Sequence, residues 1–188
     1  MPRRLLRDGA VVADEWRTAD EWRTADDWRT AGDGAATDGA AAVATAALAT
    51  VADDVALMLM LPEFRTERER WLARTGPLGV ILAPADDEQE LVPDLSRLAL
   101  VAAEFPTVSE GRGYTQGRLL RERWGFTGEL RARGAIRRDN VFLLARCGFN
   151  CFELPESEFE GAAAALRTFS AAYQSSNDRG LGSALRHR

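Results

Sequence analysis

The chain has 188 residues, enough for one domain with extensions, and its formal charge of -5 comes from 29 acidic and 24 basic residues. Residues 1–54 hold 11 acids and 6 arginines, so the negative excess lies there and the rest of the chain is neutral, which argues against the broad phosphate-facing surface of a general nucleic-acid binder. The single histidine, His187, sits in a terminal tail, which removes Ser/His/Asp, Cys/His and His-rich metal arrangements from consideration.

Arg3-Arg4-Leu5-Leu6 faintly resembles a twin-arginine export signal, but Asp8, Asp14 and Glu15 follow where an apolar core is required, so a cytoplasmic protein is expected. No run approaches the roughly 20 apolar residues of a membrane span, so no membrane partner is expected. Leu5 to Val12 places Asp8-Gly9 between short apolar runs, the pattern of a small hairpin over residues 1–12.

DEWRTA, DEWRTA and DDWRTA follow, placing Trp16, Trp22 and Trp28 six residues apart. Six residues turn about 240° on a helix, so these tryptophans share a strand face but not a helical one. The units are also far too short for a solenoid. With the Ala/Gly/Asp-rich stretch from Ala31 to Asp54, residues 13–54 read as a disordered insertion and linker.

An α/β domain is expected over residues 55–176, ahead of a flexible tail at 177–188. Val55 to Leu61 is an apolar strand, and Thr66-x-x-Glu69 is a capping box opening a helix that stops at Gly76-Pro77. Leu78 to Ala83 and Ala99 to Phe105 are the next strands, separated by a short helix broken at Pro93. A helix from Thr115 ends at Gly125, strand Glu129 to Arg133 follows, a helix from Arg137 ends at Gly148, and Phe149 to Leu154 is strand five. Ser157-x-x-Glu160 opens a last helix, with Phe159, Ala162, Ala163, Leu166, Phe169 and Tyr173 on one face.

Strands alternating with helices imply a mainly parallel sheet with right-handed crossovers. The expected class is α/β, an open five-stranded sheet with helices on both faces. A partial (β/α) barrel is the alternative, because strand order is not written in the sequence. In either case ligands gather at the carboxyl ends of the strands.

Residues 110–139 carry eight arginines against four acids. Gly111-Arg112-Gly113 opens a helix after a strand, so freed backbone N–H groups with Arg112, Arg118 and Arg131 suit a small oxyanion such as sulfite, sulfate or phosphate. Glu110, Tyr114, Arg121, Arg138 and Asp139 stand in support. The alternative is that the glycines only make the turn and the arginines pair with Glu110, Glu122, Glu129 and Asp139. Gly111-x-Gly113-x-x-x-Gly117 departs from the dinucleotide fingerprint, having Gln116 where a glycine belongs. Glu129, Arg131 and Arg133 alternate with Leu130 and Ala132, giving one charged strand face. We read it as an edge facing water; a barrel interior lined for an anion has the same pattern. Cys147 and Cys151, a C-x3-C pair, read as structural thiols, and no metal site is expected.

The runs Phe105-Pro106, Gly111-Arg112-Gly113-Tyr114, Arg118 to Arg123, Gly128 to Ala132, Arg138-Asp139 and Arg146 to Phe149 resemble, in order, the FPxFxDGRGxSxARLLRER, GELRAxGDVLRDQ and RCGFDAFEL segments of a bacterial family of unknown function. Its members are typically encoded beside assimilatory sulfite reductase and are often labelled oxidoreductases of sulfite reduction. The resemblance implies an accessory protein or oxidoreductase of sulfite reduction, with sulfite reductase as a partner, or a non-catalytic adaptor docking on that enzyme; it names no cofactor. Glu110 replaces the family's usual Asp, Thr115 its Ser, Ala135-Ile136-Arg137 its Asp-Val-Leu, and Cys151 its Ala.

Overall fold

The computed structural model describes residues 3–18 and 52–167. The chain opens with a hairpin of β1 (Arg4–Arg7) and β2 (Ala10–Ala13), turning through Asp8 (φ 50°) and Gly9 (φ 79°), followed by the short strand β3 (Arg17–Thr18). β4 (Leu57–Met60), α1 (Leu61–Thr66), α2 (Arg68–Leu72) and β5 (Leu78–Leu82) come next. After a 3-10 turn at Glu88–Asp94 come β6 (Leu100–Phe105), α3 (Arg112–Glu122), β7 (Glu129–Gly134), α4 (Arg138–Arg146) and β8 (Cys151–Phe152). A second 3-10 turn, Glu156–Glu158, leads into α5 (Phe159–Arg167).

The strands form one sheet in the order β2-β1-β8-β7-β6-β5-β4-β3, parallel from β3 to β8 and antiparallel at β1 and β2. The five expected strands are β4 to β8, and the α/β class holds. The expected arrangement of helices on both faces does not. The parallel order never reverses, and successive right-handed crossovers without a reversal deliver every helix to the same side. The described helices therefore share one core with Leu59, Val80, Val101, Ala103, Leu130 and Ala132, while Met58, Ile81, Leu100 and Ala102 form a separate cluster on the other face.

The result is the partial barrel. Eight strands laid flat span roughly 34 Å at the usual spacing. Yet the two edge strands, β2 and β3, are joined by only Asp14, Glu15 and Trp16, a link that reaches at most roughly 14 Å from Ala13 to Arg17. The sheet has to curl for that link to close. Trp16 packs on the Met58, Ile81, Leu100 and Ala102 cluster, so the link lies against the concave face.

The hairpin thus extends to Ala13 rather than residue 12, and residues 14–18, assigned by sequence to the insertion, belong to the barrel. The rest of that insertion, residues 19–51, and the tail at 177–188 lie outside the described residues, as do Phe169 and Tyr173. The Thr66 capping box is also not formed: Thr66 ends α1 and its hydroxyl donates to Pro62 O at 2.9 Å, while Glu63 Oε2 accepts from Met60 N at 3.0 Å at the true start. Ser157 gives no side-chain cap to α5, being held in the 3-10 turn; Glu158 instead turns back to accept from Arg138 N at 2.8 Å at the start of α4. That contact holds the Glu158 carboxyl below its usual range. None of the described helices is long and apolar enough to cross a membrane.

Candidate functional site

Strand periodicity puts Glu129, Arg131 and Arg133 of β7 on the concave face, because Leu130 and Ala132 between them enter the helix-side core. β7 lies between β6 and β8, so the charged face is barrel interior, and the water-facing edge expected from sequence is overturned. Three rows follow from the registers. Met58, Gly79, Leu100 and Glu129 form the first, Met60, Ile81, Ala102, Arg131 and Cys151 the second, and Glu104 with Arg133 the third, at the carboxyl ends.

Arg131 heads the fully buried side chains by volume among the described residues, at 1% exposed. Its Nη1 and Nη2 each donate to one oxygen of Asp14 at 3.1 Å, its Nε to Glu129 Oε1 at 2.9 Å, and Nη1 also to Glu153 Oε1 at 3.3 Å. Arg3 reaches Asp14 at 2.8 Å and Arg7 reaches Glu129 at 3.2 Å, so three guanidiniums meet three carboxylates. Burial works most strongly against the Arg131 charge, but Cys151, Glu129 and Asp14 around it outweigh that and raise its pKa overall. The cluster ties the Asp14–Trp16 link, a strap across the open side of the sheet, to the barrel wall. A cavity of about 150 Å³ lined by Leu5, Arg7, Val12, Ala13, Asp14, Glu15, Trp16 and Arg131 lies beside it.

Both cysteines are free. Burial pushes the Cys151 thiol far up, against the pull of Arg131 and with further help from Glu129; burial likewise raises Cys147, against Arg118. Neutral thiols are poor nucleophiles and poor metal ligands.

The Gly-Arg loop lies at the start of α3, which covers the opposite face. Glu110 occupies that start itself: Oε1 accepts from Arg112 N and Nε at 3.0 Å, and Oε2 from Nη2 at 2.9 Å. The hydrogen bonds from Arg112 lower the Glu110 carboxyl to about 2. Gly113 is required by packing, since a Cβ there would stand 2.6 Å from the Phe105 ring, whereas a Cβ at Gly111 would meet nothing within 4 Å. Tyr114 packs edge-on against Phe105 at 5.3 Å, and burial raises its hydroxyl pKa. Arg118 pairs with Glu122 at 2.9 Å and Arg138 with Asp139 at 3.1 Å. Arg121 staples the sheet end, donating to Gly148 O, Phe126 O and Gly128 O at 2.9, 2.6 and 2.9 Å.

Of the five oxyanion candidates, then, Gly111, Arg112 and Gly113 stand together, Arg118 lies further along α3, and Arg131 belongs to a separate cluster on the concave face. The pairings of the alternative reading, with Glu110, Glu122, Glu129 and Asp139, are the ones observed. Sequence reasoning missed Asp14 and Glu153. No local signal marks Asp14, because residues 14–19 and 20–25 are the same hexad.

No curated protein matches the chain. The family model described as "Bacterial protein of unknown function (DUF934)" matches residues 79–182, more than half the chain. The match runs from β5 through α5 and takes in Glu129, Arg131 and Glu153 but not Asp14. The chain belongs to this bacterial family of unknown function, DUF934.

Proposed function

We propose that this protein is a cytoplasmic accessory factor of assimilatory sulfite reduction that docks on sulfite reductase, rather than an enzyme working through its own thiols or an open oxyanion loop. The pathway rests on the sequence resemblance; the mode of action rests on how the arginines are presented. In the Arg112–Glu110 and Arg137–Glu158 pairs the guanidinium side chains are 62% and 56% exposed while their carboxylate partners are 16% and 23% exposed. The cations form the outer layer, at the carboxyl end of the barrel where α3 and α4 begin. An open groove of about 700 Å³ beside them is lined by Arg137, Arg138, Asp139, Ser157, Glu158, Glu160, Gly161 and Ala164. An acidic partner surface meets guanidinium first, and such contacts govern encounter and register.

Sulfite or sulfate reaches the backbone N–H and the Nε–Nη2 edge of Arg112 only by displacing Glu110, which already accepts from all three. Neutral Cys147 and Cys151 give no support to a dithiol reaction. The test is capture of sulfite reductase from a sulfate-grown extract by the tagged full-length chain, repeated with Arg112→Glu/Arg137→Glu. Capture lost on charge reversal and in high salt is the expected result. Equal capture by the variant overturns the arginine surface. A purified protein carrying a flavin or iron–sulfur absorption band turns the reading to the oxidoreductase alternative, and a deletion strain growing normally on sulfate removes the pathway unless another gene substitutes.

A further inference from the structure

On the concave face the other charges named above are matched across the ladder: Arg131 by Asp14, Glu129 and Glu153, Arg7 by Glu129, Arg3 by Asp14. Glu104 and Arg133 are the exception. They are register partners on β6 and β7, at the carboxyl rim of the barrel. Alternation with Ala103, Phe105 and Ala132, all in the helix-side core, turns both toward the concave side. Opposite charges directly across a ladder ordinarily pair. These two make no hydrogen bond or ion pair with each other or with any described residue, and both are half-buried.

Their backbones are held. Ala135 N donates to Phe105 O at 2.7 Å, fixing the ends of β6 and β7 together. At the end of β5 the Gln116 side-chain amide donates to Ala83 O at 3.0 Å and Asp86 O at 2.9 Å. The row beneath runs Met60, Ile81, Ala102, Arg131 and Cys151; its β4–β6 part, Met60, Ile81 and Ala102, is an apolar floor beside Glu104, while Arg131 lies below Arg133 with its charge already met by Asp14, Glu129 and Glu153. A partial barrel presents its ligands at this rim.

We propose that this rim binds an amino-acid zwitterion, with the ligand carboxylate on Arg133, the ammonium on Glu104 and an aliphatic side chain on the Met60–Ile81–Ala102 floor. A simple anion meets Arg133 but is opposed by Glu104 and Glu153. A simple cation meets Glu104 but is opposed by Arg133. A ligand carrying both charges on neighbouring atoms satisfies the pair and leaves its apolar part for the floor. This site is separate from the docking arginines on the outer layer, and its failure leaves that reading untouched.

The experiment is a thermal-shift screen of the full-length protein against the twenty amino acids, with propionate and propylamine as single-charge comparators, followed by calorimetry on those that stabilise. At least one aliphatic amino acid should bind and neither comparator should. Arg133→Gln and Glu104→Gln should each weaken binding on the order of tenfold or more, the loss of one charge-assisted hydrogen bond, while Arg112→Gln should not change it. If Arg133→Gln fails to fold, Arg133→Lys, which keeps the charge but not the fork, should show a smaller loss. A screen with no amino acid bound, comparators that bind equally well, or variants that bind like wild type would each overturn the site.

Discussion

Removing the Asp14 carboxylate tests whether the strap closes the barrel. In Asp14→Ala the Arg131 guanidinium, 1% exposed, loses both bonds from its Nη atoms to Asp14 and keeps Glu129 and Glu153, while Arg3 loses its contact with Asp14. Breaking a buried ion pair by deleting one partner costs about 3–5 kcal/mol. Because two carboxylates remain on Arg131, we expect the lower end, about 3 kcal/mol. In a protein of this length that corresponds to a fall in melting temperature of roughly 6–12 °C. Arg131→Met should cost more, since three carboxylates lose a contact at once, although Asp14 keeps Arg3 and Glu129 keeps Arg7, and the double variant should show a coupling of about 1–3 kcal/mol.

The assay is reversible thermal unfolding by circular dichroism, paired with limited trypsin digestion after Arg17, which should quicken if the strap peels away. Deleting Asp20 to Ala31, the second and third hexads, is the control and should leave melting nearly unchanged. An Asp14→Ala shift below about 3 °C, with digestion at Arg17 unaltered, would refute the clamp: a loss under about 1 kcal/mol is what an exposed pair contributes.

Gly113→Ala should lower stability by about 1–3 kcal/mol in urea unfolding, because its Cβ enters the buried Phe105 ring at 2.6 Å, while Gly111→Ala, facing open space, should cost far less; equal effects would remove the packing explanation. The Cys151 pKa is raised by folding, so its contribution is fully present below the unfolded thiol value near 9.0 and is lost as pH rises beyond it. Wild type should therefore lose stability above about pH 9 more steeply than Cys151→Ala, and the native Cys151 thiol should resist alkylation until urea is added; parallel alkaline slopes or rapid native alkylation would show a reactive, exposed thiol instead.

The strands were legible because each is a short apolar run with an end signal: Leu78 to Leu82 and Leu100 to Phe105 fall within a residue of their expected limits. The Asp8-Gly9 turn carried its own chemistry. Helix starts were less legible: Thr66 bonds within α1 instead of opening a helix, and Ser157 gives no cap to α5. Strand order was not legible at all, and it decides the meaning of β7. Glu129, Arg131 and Arg133 look the same on a wetted edge as inside a barrel. Only the unreversed order, joined across its open side by Asp14 to Trp16, makes their face an interior.

That difference has an energetic consequence. Arg131 and Asp14 are 117 residues apart, and Arg7 and Glu129 are 122 apart, so neither pair leaves a trace in helical or strand periodicity, which couples residues a few positions apart. The glycine-arginine loop drew attention because its residues are neighbours in sequence, yet its charges are answered locally, by Glu110 two residues away and by Glu122 four residues away. Charges that close on a sequence neighbour stabilise a turn or a helix. A charge buried against partners from two other segments, Asp14 and Glu153, as well as from its own strand, fixes how the sheet curls, and with it the separation of β6 and β7 at the rim, where Glu104 and Arg133 stand open.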